Sequence, residues 1–128
     1  MLPNFDTVIL AVIRGELPTD RLADLGINIR CEAGLYQLVS GPFPTVVTPT
    51  VVDIASGLLS HISNPQELRR WAFFVLAESG AVDLQELETH PSGELLLNSL
   101  WDASFDGEVS DDAVNTLEEL VKAQRPNV

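Results

Sequence analysis

Seven apolar residues run without interruption from Trp71 to Ala77, inside the stretch Asn64–Gly80, NPQELRRWAFFVLAESG. Nothing else in the chain limits the fold as tightly. Asn64 is a good N-cap, Pro65 suits the first helical position, and Glu67 stands where a capping-box carboxylate reaches back to the cap. Gly80 is a natural left-handed terminator. A helix that is apolar on every side must be covered on several of them. The expectation is a mainly α, single-domain helical bundle over residues 1–128, with five or six helices around a central buried helix at 64–80.

The rest of the chain supplies the cover. Phe5, Val8, Ile9, Val12 and Ile13 repeat at the spacing of one helix face, between Asn4 as cap and Gly15 as stop. Pro18-Thr19-Asp20 opens a second helical segment that Gly26 ends after one or two turns. Ile27 and Ile29 alternate with polar residues, and Leu35 to Val39 is short and apolar, so a small β-hairpin is expected near residues 27–39, with Glu32-Ala33-Gly34 as its turn. Cys31 then falls at its tip or strand end.

Pro42, Pro44 and Pro49 exclude a continuous helix across 41–49. That stretch reads as an extended crossover or as a joint between a small N-terminal portion and the helical remainder. Phe43, Val46 and Val47 favour a rigid, packed connector. Thr48-Pro49 opens the next helix, to about His61, burying Val51, Val52, Ile54, Ala55, Leu58 and Leu59. Asp83 to Leu87 suggests a short helical turn, and Pro91 starts a helix through Phe105 with Leu95, Leu96, Leu100 and Trp101 among its apolar positions and Gly93 as a weak spot. Ser110 caps a last helix to about Gln124, in which Val114, Leu117, Leu120 and Val121 form the buried stripe. Trp71, Phe73, Phe74 and Trp101 are assigned to the core.

Charge divides the chain. The net charge is −12. Up to Ser63, six acids face three arginines; beyond it, 13 acids face Arg69, Arg70, Lys122 and Arg125. No Lys or Arg occurs between Trp71 and Val121, where twelve carboxylates fall. Such a field repels nucleic-acid phosphates and anionic lipid, which excludes those two partner classes, and it attracts cations or a basic protein. A single cysteine rules out an intramolecular disulfide and suits a reducing compartment. Val8 to Ile13 is too short for a signal-peptide core or a membrane span, so a cytoplasmic location is expected.

The sharpest local pattern is DASFDGEVSDDA, Asp102 to Ala113. It resembles the calcium loop of the EF-hand family, with Asp102, Ser104 and Asp106 at the first, third and fifth loop positions and Gly107 at the turn. That resemblance implies a weak calcium or magnesium site on Asp102, Ser104 and Asp106. Ala113 stands where the family places a bidentate Glu, and Phe105 is unusual inside a solvated loop. The competing reading is a plain helix–turn–helix corner, with Asp106-Gly107 as the turn and Ser110 as the N-cap.

Catalytic signatures are missing: no G-x-S-x-G, P-loop or dinucleotide glycine pattern occurs. Cys31, His61 and His90 carry nucleophile chemistry only if the fold brings them together, and both histidines have structural explanations, His61 at a helix end and His90 before a proline. Arg69 and Arg70 form the basic pair in the acidic half, and are expected either to pair with local carboxylates or to meet an anionic group. The leading expectation is a non-enzymatic acidic module, without cofactor, that binds a basic protein through Glu78, Asp83, Glu86, Glu88, Arg69 and Arg70. In size and charge it is similar to immunity proteins and antitoxins, although no motif carries that likeness.

Overall fold

The computed structural model describes residues 5–32, 35–39, 46–76 and 82–124. They form α1 (Phe5–Ile13), a 3-10 helix (Thr19–Leu25), an antiparallel hairpin of β1 (Asn28–Glu32) and β2 (Leu35–Val39), then α2 (Val51–Ser60), α3 (Pro65–Leu76), α4 (Gln85–Thr89), α5 (Gly93–Asp106) and α6 (Asp111–Gln124). The chain is mainly α with one small hairpin, as its periodicities predict.

The central helix is α3. Leu68, Trp71, Ala72, Phe74 and Val75 are buried on it, and it packs chiefly against α5 while also touching α1, α2, the 3-10 helix and β2. Phe73 and Leu76 stay half-buried, so one side of its apolar middle is not fully covered. Asn64 caps it as expected, its Oδ1 accepting the Glu67 N–H at 3.3 Å. The expected end of this helix, Ala77 to Gly80, lies outside the described residues.

Glu67 does not close a capping box. Its carboxylate instead accepts from the backbone N–H of Thr19 at 3.1 Å and from the Thr19 hydroxyl. Thr19 is the first residue of the 3-10 helix and is 2% exposed. Helix starts leave N–H groups without intrahelical partners, so Glu67 satisfies a buried donor 48 residues away in sequence. The 3-10 helix is thereby fastened to α3.

A second long-range tie comes from Trp71. Its indole N–H lies 3.1 Å from both the Val12 and the Ile13 carbonyl oxygens, which belong to the last turn of α1 and have no acceptor role within that helix. Gly57 of α2 meets the same point: a Cβ there would lie 1.8 Å from the Ile13 oxygen and 2.6 Å from Trp71 Cζ2. Only glycine lets the three helices approach so closely. Arg14, one residue past α1, adds a 2.8 Å ion pair with Asp53 of α2; with 42% of the Arg14 side chain exposed, it is worth at most about 1 kcal/mol.

Several boundaries differ from the sequence reading. The cap of α2 is Thr50, in a reciprocal capping box with Asp53, so the helix starts two residues beyond Thr48-Pro49. In the connector, Pro42, Phe43 and Pro44 lie outside the described residues, while Val47 is buried and forms an isolated parallel bridge with Val82. The Asp83 N–H donates to the Val47 carbonyl at 2.9 Å, and α4 begins at Gln85. Gly93 is not a weak spot, because a Cβ there would sit 1.8 Å from the Leu87 carbonyl oxygen; glycine permits the tight α4–α5 corner. In the hairpin, Ile29 and Leu38 face each other and pack on the core, and Tyr36 places its ring 5.6 Å from Phe73 of α3. The turn, Ala33-Gly34, lies outside the described residues.

These ties carry two predictions. Trp71→Phe leaves the buried Ile13 carbonyl without a donor, the Val12 carbonyl keeping the Gly15 N–H, and should cost about 1–3 kcal/mol, read as a shift of the denaturant midpoint at constant m-value. Glu67→Ala leaves Thr19 without its acceptor and should cost a similar amount, about 1–3 kcal/mol, with Glu67→Gln losing less. A midpoint unmoved by either variant would contradict the roles given to these side chains.

Candidate functional site

The two ends of α5 define different surroundings. Its buried positions are Gly93, Leu96, Ser99, Leu100 and Ala103, a repeat of three and four residues that turns one face to α3. Trp101 follows Leu100 and is rotated off that face. It is 59% exposed, and Phe105, one turn further on, is 84% exposed. Assigning Trp101 to the core is therefore wrong: the core face of α5 is already filled by Leu96, Leu100 and Ala103. Trp101 instead flanks a small apolar groove of about 110 Å³, completed by Phe73 and Leu76 of α3 and by Ser104. The exposed aromatic pair is the surface feature that sequence reasoning missed. The oddness of Phe105 in a polar loop was the available signal.

Beside these rings stand the residues of the EF-hand-like pattern. Asp102, Ser104 and Asp106 all belong to α5, which ends at Asp106. Helical backbone, not a ligand loop, thus carries the first, third and fifth positions. The Ser104 hydroxyl donates to the Trp101 carbonyl at 2.8 Å, and Asp106 Oδ1 accepts the Glu108 N–H at 3.0 Å. Gly107 adopts the left-handed conformation, φ 75°, and returns its N–H to the Ala103 carbonyl, a helix end that disfavours any residue with a Cβ. Ser110 Oγ accepts the Ala113 N–H at 3.2 Å and starts α6. The geometry is that of the helix–turn–helix corner. Among the described residues no three His, Cys, Asp or Glu side chains are grouped to hold a metal ion.

Among the described residues, most carboxylates of the acidic half are exposed and none joins an ion pair. Eleven of its twelve carboxylates between Trp71 and Val121 are described, Glu78 being the exception. Asp83 is half-buried, its Oδ1 accepting the Gln85 N–H at 3.0 Å. Glu86, Glu88, Glu94, Asp102, Asp106, Glu108, Asp111, Asp112, Glu118 and Glu119 are exposed. None of the eleven joins an ion pair among the described residues; both ion pairs found there, Arg14–Asp53 and Arg21–Asp24, lie in the other half.

Arg69 and Arg70 are half-buried and pair with no carboxylate among the described residues. The Arg69 guanidinium instead lies 5.1 Å from the Tyr36 ring centroid, and its Nε is buried without a hydrogen-bond partner. A cation over an aromatic face is an attractive arrangement, and it fastens the hairpin to α3. Arg69 therefore supports the fold, whereas Arg70 carries no such contact.

Cys31, His61 and His90 occupy different elements with different neighbours. Cys31 is exposed on β1 opposite Tyr36. His90 accepts the Ser92 N–H on Nδ1 at 3.0 Å and borders an open cleft of about 430 Å³ with Leu87, Glu88, Glu94 and Leu97 at the α4–α5 corner. His61 ends α2 with its ring 6.0 Å from that of Trp71, and its Nε2 is buried without a partner. Burial lowers its pKa, and the nearby negative charge of Glu67 offsets this only in part. Burial thus makes His61 harder to protonate than an exposed histidine, which works against the helix-end cation its position suggests.

No protein family, curated protein or solved structure matches this chain.

Two titrations should separate with pH. For His61 the folded value lies below the ordinary 6.5, so the unfolded chain takes up the proton first, and stability falls as pH drops below about 6.5 until the folded value is reached. For Asp53, burial raises the pKa, but hydrogen bonds from Arg14 and from the Thr50 N–H outweigh it and leave the carboxyl below its ordinary 3.8. Its contribution is complete above that value and is lost as pH falls through the lowered one. Melting temperatures from pH 8 to pH 5 should decline in the wild type and stay flatter in His61→Gln. Parallel curves would remove His61 as the cause.

Proposed function

We propose that this chain is a non-enzymatic, acidic helical module that binds another protein, one that presents a basic surface. The observation that carries this reading is the segregation of charge. Both ion pairs among the described residues, Asp53 with Arg14 and Asp24 with Arg21, lie before Ser63. In the second half, ten exposed carboxylates from α4 to α6 join no ion pair among the described residues. Carboxylates concentrated in this way repel one another and weaken the folded state. A basic partner relieves that repulsion on binding and is steered toward the acidic half at long range.

Glu86 and Glu88 on α4, with Asp83 just before it, sit on this acidic side of the chain. Arg70 on α3 is a candidate for a rim contact with a carboxylate of the partner. The corner between α5 and α6 carries further exposed carboxylates, Asp102, Asp106, Asp111 and Asp112.

The test is recovery of partners from extract of the native cells on immobilised protein at two salt concentrations. Retention should be strong at low salt and fall steeply toward about 0.3 M, where the screening length drops to a few ångströms. Glu86→Gln with Glu88→Gln should weaken retention severalfold without changing the melting temperature. A recovered partner that is itself acidic, or one whose retention ignores salt, would overturn the reading.

A further inference from the structure

The acidic surface carries an apolar feature that charge alone does not explain. On α5, Glu94, Asn98, Trp101 and Phe105 are all exposed and recur every three or four residues, so they lie along one outward stripe. Trp101 opens onto the groove formed with Phe73, Leu76 and Ser104. Asp102 and Asp106 immediately follow the two rings in sequence and are exposed beside them. Large aromatic rings left in water are unfavourable unless something covers them, and aromatic residues are the side chains that most often anchor interfaces.

Resting on the proposed binding of a basic protein, we infer that the partner engages this stripe through an amphipathic helix bearing Lys or Arg. An apolar side chain of that helix enters the Phe73–Leu76–Trp101 groove and a second covers Phe105. Its cationic groups reach Asp102, Asp106 and Glu94, and one of them can lie over the open face of Trp101, where the ring quadrupole attracts it. Charge complementarity selects this occupant. A second copy of the chain would bring Asp102 and Asp106 against their own equivalents, in a molecule of net charge −12, and an acidic helix would meet the same repulsion. The exposed stripe spans about three turns of α5, enough for three contacts spaced one turn apart on an opposing helix.

The experiment uses three synthetic 14-residue peptides labelled with fluorescein and followed by anisotropy against the full chain. One is a helical Leu/Lys pattern with an apolar face, the second replaces every Leu with Ser, and the third replaces every Lys with Glu. The Leu/Lys peptide should bind, with the other two at least tenfold weaker. Trp101→Ala and Phe105→Ala should each weaken it tenfold or more at an unchanged melting temperature, and Trp101→Phe should retain part of the affinity. Asp102→Asn with Asp106→Asn should weaken it severalfold and flatten its salt dependence.

Other results separate the two claims. If the Ser/Lys peptide binds as well and the aromatic variants change nothing, the docking stripe is wrong and the acidic-surface reading stands. If neither lysine peptide binds at low salt, both fail. Equal binding of the Leu/Glu peptide overturns the charge argument. Concentration-dependent dimerisation abolished by Trp101→Ala would assign the stripe to a second copy instead.

Discussion

The architecture depends on one shared hydrogen bond. The Trp71 indole N–H reaches both carbonyls at the end of α1, at 3.1 Å each, at the spot where Gly57 lets α2 come into contact. A tryptophan buries more apolar area than any other side chain, but its N–H must find an acceptor when it does so. Helix ends have the complementary need, since their last carbonyls lack intrahelical donors. Each buried group here satisfies the other. Because the partners lie 58 and 59 residues apart, the contact closes nearly half the chain, and the segments between must already be disposed around it. Glu67, one helical turn earlier on the same helix, fixes the 3-10 helix in a similar way. With these two side chains α3 holds down the N-terminal third as well as filling the core.

That arrangement divides labour along the sequence. The part before α3 holds a capping box and two ion pairs, and long-range hydrogen bonds tie it to α3. Beyond α3 the side-chain hydrogen bonds among the described residues are local, and the helices are held by apolar faces: Leu87 on α4, Leu96 and Leu100 on α5, Leu117 on α6. Asp111 and Asp112 favour the start of α6 through the helix dipole. Elsewhere, the exposed carboxylates of this half join no ion pair among the described residues.

Much of the fold was legible because it rests on local chemistry. Alternation in Ile27 to Val39, the cap at Asn64, the stop at Gly26 and the Asp106-Gly107 corner all follow from residue preferences that act within a few positions. The start of α2 was legible too, since Thr50 and Asp53 have capping-box spacing, but Pro49 drew the boundary two residues too early. What could not be read was anything set by three-dimensional proximity. Glu67 has the right spacing for a local cap and is recruited by Thr19 instead. Gly93 looks like a helix fault until the Leu87 carbonyl is seen pressed against it. Trp101 looks like core because tryptophan usually is; its exposure follows from which face of α5 meets α3, a choice made by Leu96, Leu100 and Ala103 together. At the candidate site, sequence gave the acids and their lack of counter-charges, while the aromatic stripe among them needed the packed structure.

The chain's two tryptophans now have sharply different environments, and this gives the protein a built-in pair of optical probes. Trp71 is enclosed and hydrogen-bonded, so its emission belongs at short wavelength and is closed to dissolved quenchers while the core is intact. Trp101 is largely in water and emits further to the red. Its setting among Asp102 and Asp106 makes quenching depend on the sign of the quencher: caesium is drawn in, iodide held off. One molecule without any label therefore reports the integrity of its core and the potential at its surface in separate parts of the same spectrum.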